Sequence, residues 1–365
     1  MPIIHSVEIN LLRFPLKRTF SNHAHPVTEI NAIDVRIKTE NHVGCSFIYG
    51  LQKSPYTNVL KFIKEDMLPS LFKINDLTQL KSQWTTFWTS YKKQNSEQDK
   101  LYALASLDIA IWDLYLKEQK IPLHQYLGAT KTNVPAYATT GWLSLTTNEL
   151  VAECKSYLKY GINAFKLRLG NNDDVQRVKT LRAEMGDNFI LMADANRRYT
   201  AEKAAQISEI LAPSNLLWFE EPTDYSENQM AKIKKNSKLP LALGENVLEE
   251  ADFQKICDQH LTDYLQPDLP RCGGITGFQN AAEIALKNKI PLCSHLMPQL
   301  SISLVASFEN GAWIEYDNLL PEGLFTQDIS IQNGIMEPPK VPGTGVEITI
   351  ESLHKFKTYS EVITP

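Results

Sequence analysis

The chain has 365 residues, is 43% hydrophobic, and carries 37 basic against 42 acidic residues for a formal net charge of -5. The two signs are interspersed, so no basic face is available for nucleic acid or anionic lipid, and no apolar run approaches the roughly 20 residues of a membrane span. The length suits a barrel with an accessory domain, or two domains, and the default partner is a small molecule. The N-terminal stretch MPIIHSVEINLLRFPLKRTF has no basic segment followed by an apolar signal core. Cys45, Cys154, Cys257, Cys272 and Cys293 are scattered without CxxC spacing, which fits reduced thiols in the cytoplasm and no zinc site.

In chain order, residues 4–50 alternate as paired strands do, with IIHSVEINLLRF and INAIDVRIKTE separated by the polar segment KRTFSNHAHPVTE. The pattern predicts a small antiparallel sheet with a mobile loop around residues 17–28. Residues 56–127 then carry helical periodicity through TNVLKFIKEDMLPSLF, LTQLKSQWTTFWTSYKK and a helix over 101–118. That last helix is apolar on all sides yet contains Asp108 and Asp113, so it reads as buried. A sheet followed by helices suggests an α+β unit over residues 1–130.

From Val134 onward, short apolar strands alternate with amphipathic helices. Strands are expected near 134–139, 163–169, 189–194, 216–220, 240–245, 263–268, 291–295 and 312–316. This is the rhythm of a (β/α) barrel over residues 131–320, slightly lean at about 190 residues, with a doubly wound open sheet as the rival topology. The barrel is preferred because six of the strands deliver an ionisable side chain at their C-terminal ends: Lys166 with Arg168, Asp194, Glu220, Glu245, Asp268 and His295. The tail, residues 321–365, shows little helical pattern and is expected to pack back on the first domain.

Asp194, Glu220 and Glu245 end three consecutive strands, which places three carboxylates around one space. Like charges so arranged need a cation, and hard oxygen ligands with room for water and substrate suit one Mg²⁺. Asn196, two residues on, is placed to bind a ligand carboxylate or support the metal ligands. Glu221 points the other way under two-residue alternation and is expected to be structural. Lys166 and Arg168 both face inward, either as a desolvated base with a cationic neighbour or as charge balance for the carboxylates. Asp268 and His295 close adjacent strands, so the carboxylate can hold one imidazole nitrogen while the other faces substrate. Glu315, on the last strand, is either a protonated hydrogen-bond donor or a charge partner of Lys166 or Arg168. The glycines of RCGGITG are read as a tight turn opening a helix, with Arg271 beside them a substrate-binding candidate.

Taken together, these residues resemble the mandelate racemase branch of the enolase superfamily. The resemblance runs through PLKRTFS, ASLDIAIWDLYLKEQKIPLHQYLG, FKLRLG, DAN, FEEP, GEN, QPDLPRCGGITG, CSHLMP and PGTGVEI, nearly the whole chain. It implies an α/β fold, a modified TIM barrel (β/α)7β with an α+β N-terminal capping domain completed by the C-terminal tail. It further implies one Mg²⁺ held at Asp194, Glu220 and Glu245, and abstraction of the proton α to a carboxylate through an enediolate. The family often forms symmetric oligomers, so a homo-oligomer acting on a small carboxylate substrate, away from nucleic acid and membrane, is expected. One departure matters: the family's usual Lys-x-Lys is Lys166-Leu167-Arg168 here. A guanidinium with a pKa above about 12 is a poor base and a good carboxylate clamp. The first reading is therefore a one-base lyase, His295 removing the α-proton of a sugar acid to give a 2-keto-3-deoxy acid. The second is a racemase or epimerase in which Lys166 serves the opposite face, and the third a catalytically impaired carboxylate-binding relative. Specificity is expected in the capping loops, where His23, His25 and SFIYGLQ (46–52) with Tyr49 close over the barrel mouth, and at Trp142.

Overall fold

The computed structural model describes residues 3–21, 26–51, 56–74, 76–94 and 97–365. The alternating N-terminal segments form β1 (Ser6–Ser21), β2 (Pro26–Lys38) and β3 (Val43–Gly50). Their sheet has the order β14-β1-β2-β3, because the last strand, β14 (Lys357–Ile363), returns to pair antiparallel with β1. The C-terminal segment thus completes the capping sheet. Of the loop expected at 17–28, residues 22–25 lie outside the described residues and the rest is strand: after an irregularity between Pro15 and Phe20, pairing resumes at Phe20 with Val27 and Ser21 with Pro26. Tertiary contacts account for this. Phe20 stacks on Trp142 with ring centroids 5.0 Å apart, and the Leu143 amide donates to Ser21 O at 3.2 Å.

Helices α1 (Thr57–Phe62), α2 (Leu68–Leu71), α3 (Leu77–Gln94), α4 (Gln98–Gln119) and α5 (Leu123–Tyr126) follow. Between α1 and α2 the chain forms one π-helical turn, Ile63–Met67. Helix α4 is buried almost throughout, and its two buried acids, Asp108 and Asp113, are fully satisfied there. Asp113 accepts from the amides of Cys45 (2.8 Å) in β3 and Thr344 (2.7 Å) in the C-terminal segment, and pairs with Lys117 at 2.7 Å. Asp108 accepts from Trp84 Nε1 at 2.9 Å and from the Thr276 amide (2.9 Å) and hydroxyl (2.7 Å). One helix therefore ties the capping sheet, the barrel and the tail together. Burial pushes Asp108 up to about 6 against the pull of these donors. A Cβ on Gly274 would lie 2.6 Å from Asp108 Oδ2, and its φ of +99° is itself a glycine conformation. The glycines of RCGGITG thus serve a close approach of α4 to the next barrel helix.

The barrel strands are β4 (Val134–Gly141), β5 (Ala164–Arg168), β6 (Ile190–Asp194), β7 (Leu216–Glu220), β8 (Leu241–Leu243), β9 (Tyr264–Leu265), β10 (Leu292–Cys293) and β11 (Gly311–Tyr316). Between them run α6 (Thr147–Ser156), α7 (Asp174–Met185), α8 (Ala201–Leu211), α9 (Glu227–Asn236), α10 (Glu250–Asp258), α11 (Ile275–Lys287) and α12 (Pro298–Ala306). All neighbours are parallel, and β11 pairs with β4 to close the ring. An open sheet is excluded by that closure. Beyond the barrel, β12 (Ile331–Gln332) and β13 (Ile335–Met336) form a hairpin on the outer edge of β4, and α13 (Ile350–Phe356) leads into β14.

Two apolar layers result. Leu167, Leu169, Leu191 and Ala193 join the large core between strands and helices, whereas Tyr137, Ala164, Met192, Trp218, Ala242 and Cys293 form a separate cluster. The members of the small cluster come from six different strands, so they plug the barrel interior.

Replacing Asp108 with Ala would leave the buried Trp84 and Thr276 N–H groups without an acceptor. A loss of about 2–4 kcal/mol is expected from a shift of the urea unfolding midpoint, and a change below about 0.5 kcal/mol would contradict this account of α4.

Candidate active site

The residues at the strand ends converge as the spacing predicts. Ligand oxygens of Asp194, Glu220 and Glu245 all lie within 4.8 Å of one another, and all three residues are buried. Each faces at least one cation. Lys166 Nζ is 2.7 Å from Glu220 Oε1, Arg168 Nη1 bonds Asp194 Oδ2, and His295 Nε2 is 3.1 Å from Glu245 Oε2. Lys166 Nζ is also 2.7 Å from Glu315 Oε1, and His295 Nδ1 is 2.6 Å from Asp268 Oδ2. With His295 protonated, four cations, Lys166, Arg168, His295 and Arg271 (Nη1 3.5 Å from Glu245 Oε1), face the carboxylates of Asp194, Glu220, Glu245, Asp268 and Glu315.

These contacts set the protonation states. Burial opposes the charge on Lys166, but Glu220, Glu315 and Asp194 outweigh it and hold its pKa above the usual range. The carboxylates around Lys166 outnumber Arg168, so these contacts favour the charge-balance alternative for the pair. Burial likewise opposes ionisation of Glu315, yet Lys166 and His295 hold it below the ordinary value. Of its two proposed roles, the one found is charge partner of Lys166, with Oε2 also accepting from the Leu296 amide at 2.7 Å. Burial raises Glu220 to about 7 against the attraction of Lys166, and raises Asp194 against Arg168 and Lys166. Burial would also raise Glu245, but His295 and Arg271 hold it well below the usual range. The His295 imidazole, despite burial, is held well above its ordinary value by Glu245 and Asp268.

Local backbone features explain why the side chains meet. Asp268 and His295 lie beyond the regular ends of β9 and β10 but form one further parallel bridge, which brings the dyad together. In β8, Ala242 plugs the interior and Glu245, three residues on, also points inward, so strict alternation fails between them. Gly244 makes the switch. Its φ is +137°, and a Cβ there would lie 2.9 Å from the Gln266 backbone. Glu221 is buried with φ +37° and accepts from Tyr225 Oη (2.8 Å) and Asn246 Nδ2 (2.7 Å), so it is engaged by protein groups as expected.

The remaining substrate-binding candidates fall in different places. Asn196 Oδ1 accepts from Arg168 Nη1 at 2.9 Å, beside the carboxylates. Trp142 is buried at the barrel mouth with the Arg168 guanidinium 5.5 Å from its ring, and its indole N–H has no acceptor among the described residues. Tyr49 reaches the mouth from β3 but donates its hydroxyl to Asp317 Oδ2 at 2.6 Å. Arg271 is turned away from open space: Nη1 donates to Glu245 O (2.8 Å) and Asn246 Oδ1 (3.0 Å), and the guanidinium bonds Tyr102 of α4. His23 and His25 lie outside the described residues. The sequence reading missed Trp218, Gln266, Tyr137 and Asn246, which surround the carboxylates. A signal for two of them was present, since Trp218 and Gln266 stand two residues before Glu220 and Asp268 and so share their inward face.

Residues 149–352 match the family described as enolase C-terminal domain-like. The chain belongs to the enolase superfamily, of the mandelate racemase/muconate lactonizing enzyme type. It is 29% identical over 362 residues to the 3,6-anhydro-alpha-L-galactonate cycloisomerase of Streptomyces coelicolor, covering 97% of this chain and 99% of that one. Among solved structures, a racemase from Streptomyces coelicolor with bound magnesium superposes with a TM-score of 0.91 at 28% identity, covering 97% and 100% of the two chains. L-Talarate dehydratase from Polaromonas sp. JS666, complexed with Mg and L-glucarate, gives a TM-score of 0.89 at 27% identity over the full length of both. This superfamily member is accordingly an enzyme of the lyase or isomerase type.

The donor set fits a hard divalent cation: three buried carboxylates from adjacent strands, within reach of one another and carrying excess negative charge. Mg²⁺ at 100 times its Kd is expected to stabilise the fold by about 2.7 kcal/mol, read as a chelator-reversible rise in Tm. Asp194→Asn should abolish that rise; a shift of equal size in the variant would place the ion elsewhere.

Proposed function

We propose that the protein is a Mg²⁺-dependent lyase that dehydrates a sugar acid to a 2-keto-3-deoxy acid. The observation that carries this reading is the His295–Asp268 dyad set against the three carboxylates, with an arginine rather than a second lysine across from it. A bound Mg²⁺, held by Asp194, Glu220 and Glu245, supplies a Lewis acid for the substrate carboxylate and offsets the charge of Glu245 that otherwise keeps His295 protonated.

In this reading His295 takes the α-proton on Nε2, the nitrogen not committed to Asp268. Asp268, 2.6 Å from Nδ1, fixes the tautomer and stabilises the imidazolium that forms. The imidazolium returns that proton to the β-hydroxyl as the Cβ–O bond breaks, releasing water, and the resulting enol ketonises. Arg168, fully buried and pinned by Asp194 and Asn196, contributes positive charge and does not accept a proton. Lys166, held as an ammonium between Glu220 and Glu315, acts in the same electrostatic sense. The relatives named as dehydratases of sugar acids support the substrate class. Those named cycloisomerase and racemase keep isomerisation as the second reading, favoured by the presence of Lys166 in the ring of carboxylates. A cytoplasmic setting is supported by free, buried thiols at all five cysteines. Assembly as a homo-oligomer belongs to the same proposal and is read directly by light scattering.

A library of mono- and diacid sugars assayed for keto-acid formation tests the reaction, with His295→Asn expected to lower kcat about 10³-fold while the Mg²⁺-induced rise in Tm persists. Full activity in that variant excludes His295 as the base. Deuterium incorporation at Cα in D₂O without loss of water would replace the lyase by an isomerase.

A further inference from the structure

Each of the three carboxylates presents its two oxygens to different partners, Glu245 Oε1 lying also 3.5 Å from Arg271 Nη1. One oxygen faces a cation of the site: Asp194 Oδ2 toward Arg168, Glu220 Oε1 toward Lys166 and Glu245 Oε2 toward His295. The other is tied back into the protein. Asp194 Oδ1 accepts from the Asn196 amide at 2.8 Å, and Glu245 Oε1 from Asn246 Nδ2 at 3.0 Å. Glu220 Oε2 accepts from two side chains below it, Trp218 Nε1 at 3.0 Å and Gln266 Nε2 at 3.2 Å. The amide of Gln266 is itself oriented by Tyr137, whose hydroxyl accepts its second N–H at 3.2 Å and donates to Ser294 O at 3.4 Å. Trp218, Gln266 and Tyr137 are all buried, and the indole and phenol rings pack edge to face with centroids 5.2 Å apart.

We propose that Trp218 and Gln266 are metal-selecting residues: by occupying Glu220 Oε2 they leave only Oε1, the oxygen turned toward the site, to meet a metal ion, and so favour Mg²⁺ over Ca²⁺. This inference rests on the Mg²⁺ reading above. The physical basis is the difference between the two ions. Ca²⁺ is larger, takes six to eight oxygens and uses carboxylates in bidentate fashion, whereas Mg²⁺ demands near-octahedral geometry from single oxygens. A carboxylate whose rear oxygen is bonded twice from beneath can rotate to offer both oxygens only by breaking both bonds in a buried site. The same division of oxygens at Asp194 and Glu245 makes the restriction general. At Asp194 it rests on a backbone amide, whereas at Glu220 and Glu245 it rests on side chains, which makes it open to mutation there.

Isothermal titration calorimetry of the whole protein with Mg²⁺ and, separately, Ca²⁺ tests the proposal. In Gln266→Met and in Trp218→Phe, the ratio of Mg²⁺ to Ca²⁺ affinity is expected to fall at least about tenfold relative to the unmodified protein, through tighter Ca²⁺ binding. A ratio unchanged within about twofold, or equal weakening of both ions, would overturn it, since simple loss of packing predicts the latter. If Gln266→Met does not fold, as judged by circular dichroism and Tm, Trp218→Phe decides the question. Absence of saturable Mg²⁺ binding by the unmodified protein would instead remove the underlying reading. Those results are distinct.

Discussion

Three carboxylates held close together in a buried barrel mouth repel one another, and the upper end of this barrel is organised around that repulsion. At about 4 Å and an effective dielectric near 20, each like-charge pair costs on the order of 4 kcal/mol, before desolvation is counted. The chain answers with three cations, each paired with a different carboxylate, and with donors that hold the opposite oxygens. The same pairing sets the chemistry. It favours the charged forms of Lys166 and Glu315, and couples the His295 imidazole to Glu245 on one side and to Asp268 on the other.

Such an arrangement works only if the strand ends are held rigidly, and helix α4 contributes to that rigidity from outside the barrel. Its two buried acids bind backbone amides from β3, the C-terminal segment and the start of α11. Its Tyr102 meets Arg271, which in turn donates to the turn carrying Glu245. Capping sheet and the turn carrying Glu245 are thereby joined through helix α4 by hydrogen bonds. Docking of the β1–β2 hairpin through Phe20 on Trp142 ties the other side of the cap to the mouth of the barrel.

Much of the site was legible in the sequence because barrel strands obey two local rules. Side chains alternate, and the functional face is reached at each strand's C-terminal end, so Asp194, Glu220, Asp268 and His295 could be placed from short apolar runs. Less legible were the electrostatic outcomes. Lys166 beside Arg168 suggests mutual lowering of proton affinity, yet the surrounding carboxylates reverse the sign. The hairpin segment near residue 20 reads as a polar loop, since the contacts that keep it extended come from residues more than a hundred positions away.

The sequence by itself determined the strand rhythm, the identity of the acidic and basic strand ends and the arginine where a second basic lysine is usual, because these follow from local periodicity and side-chain chemistry. The tertiary structure alone decided which oxygen of each carboxylate faces a cation, that Gly244 turns Glu245 inward against the alternation, and that Gln266 and Trp218 brace Glu220 from below. Those features depend on distances between different strands. A linear pattern specifies which face a residue occupies, whereas closing the ring fixes what it meets there.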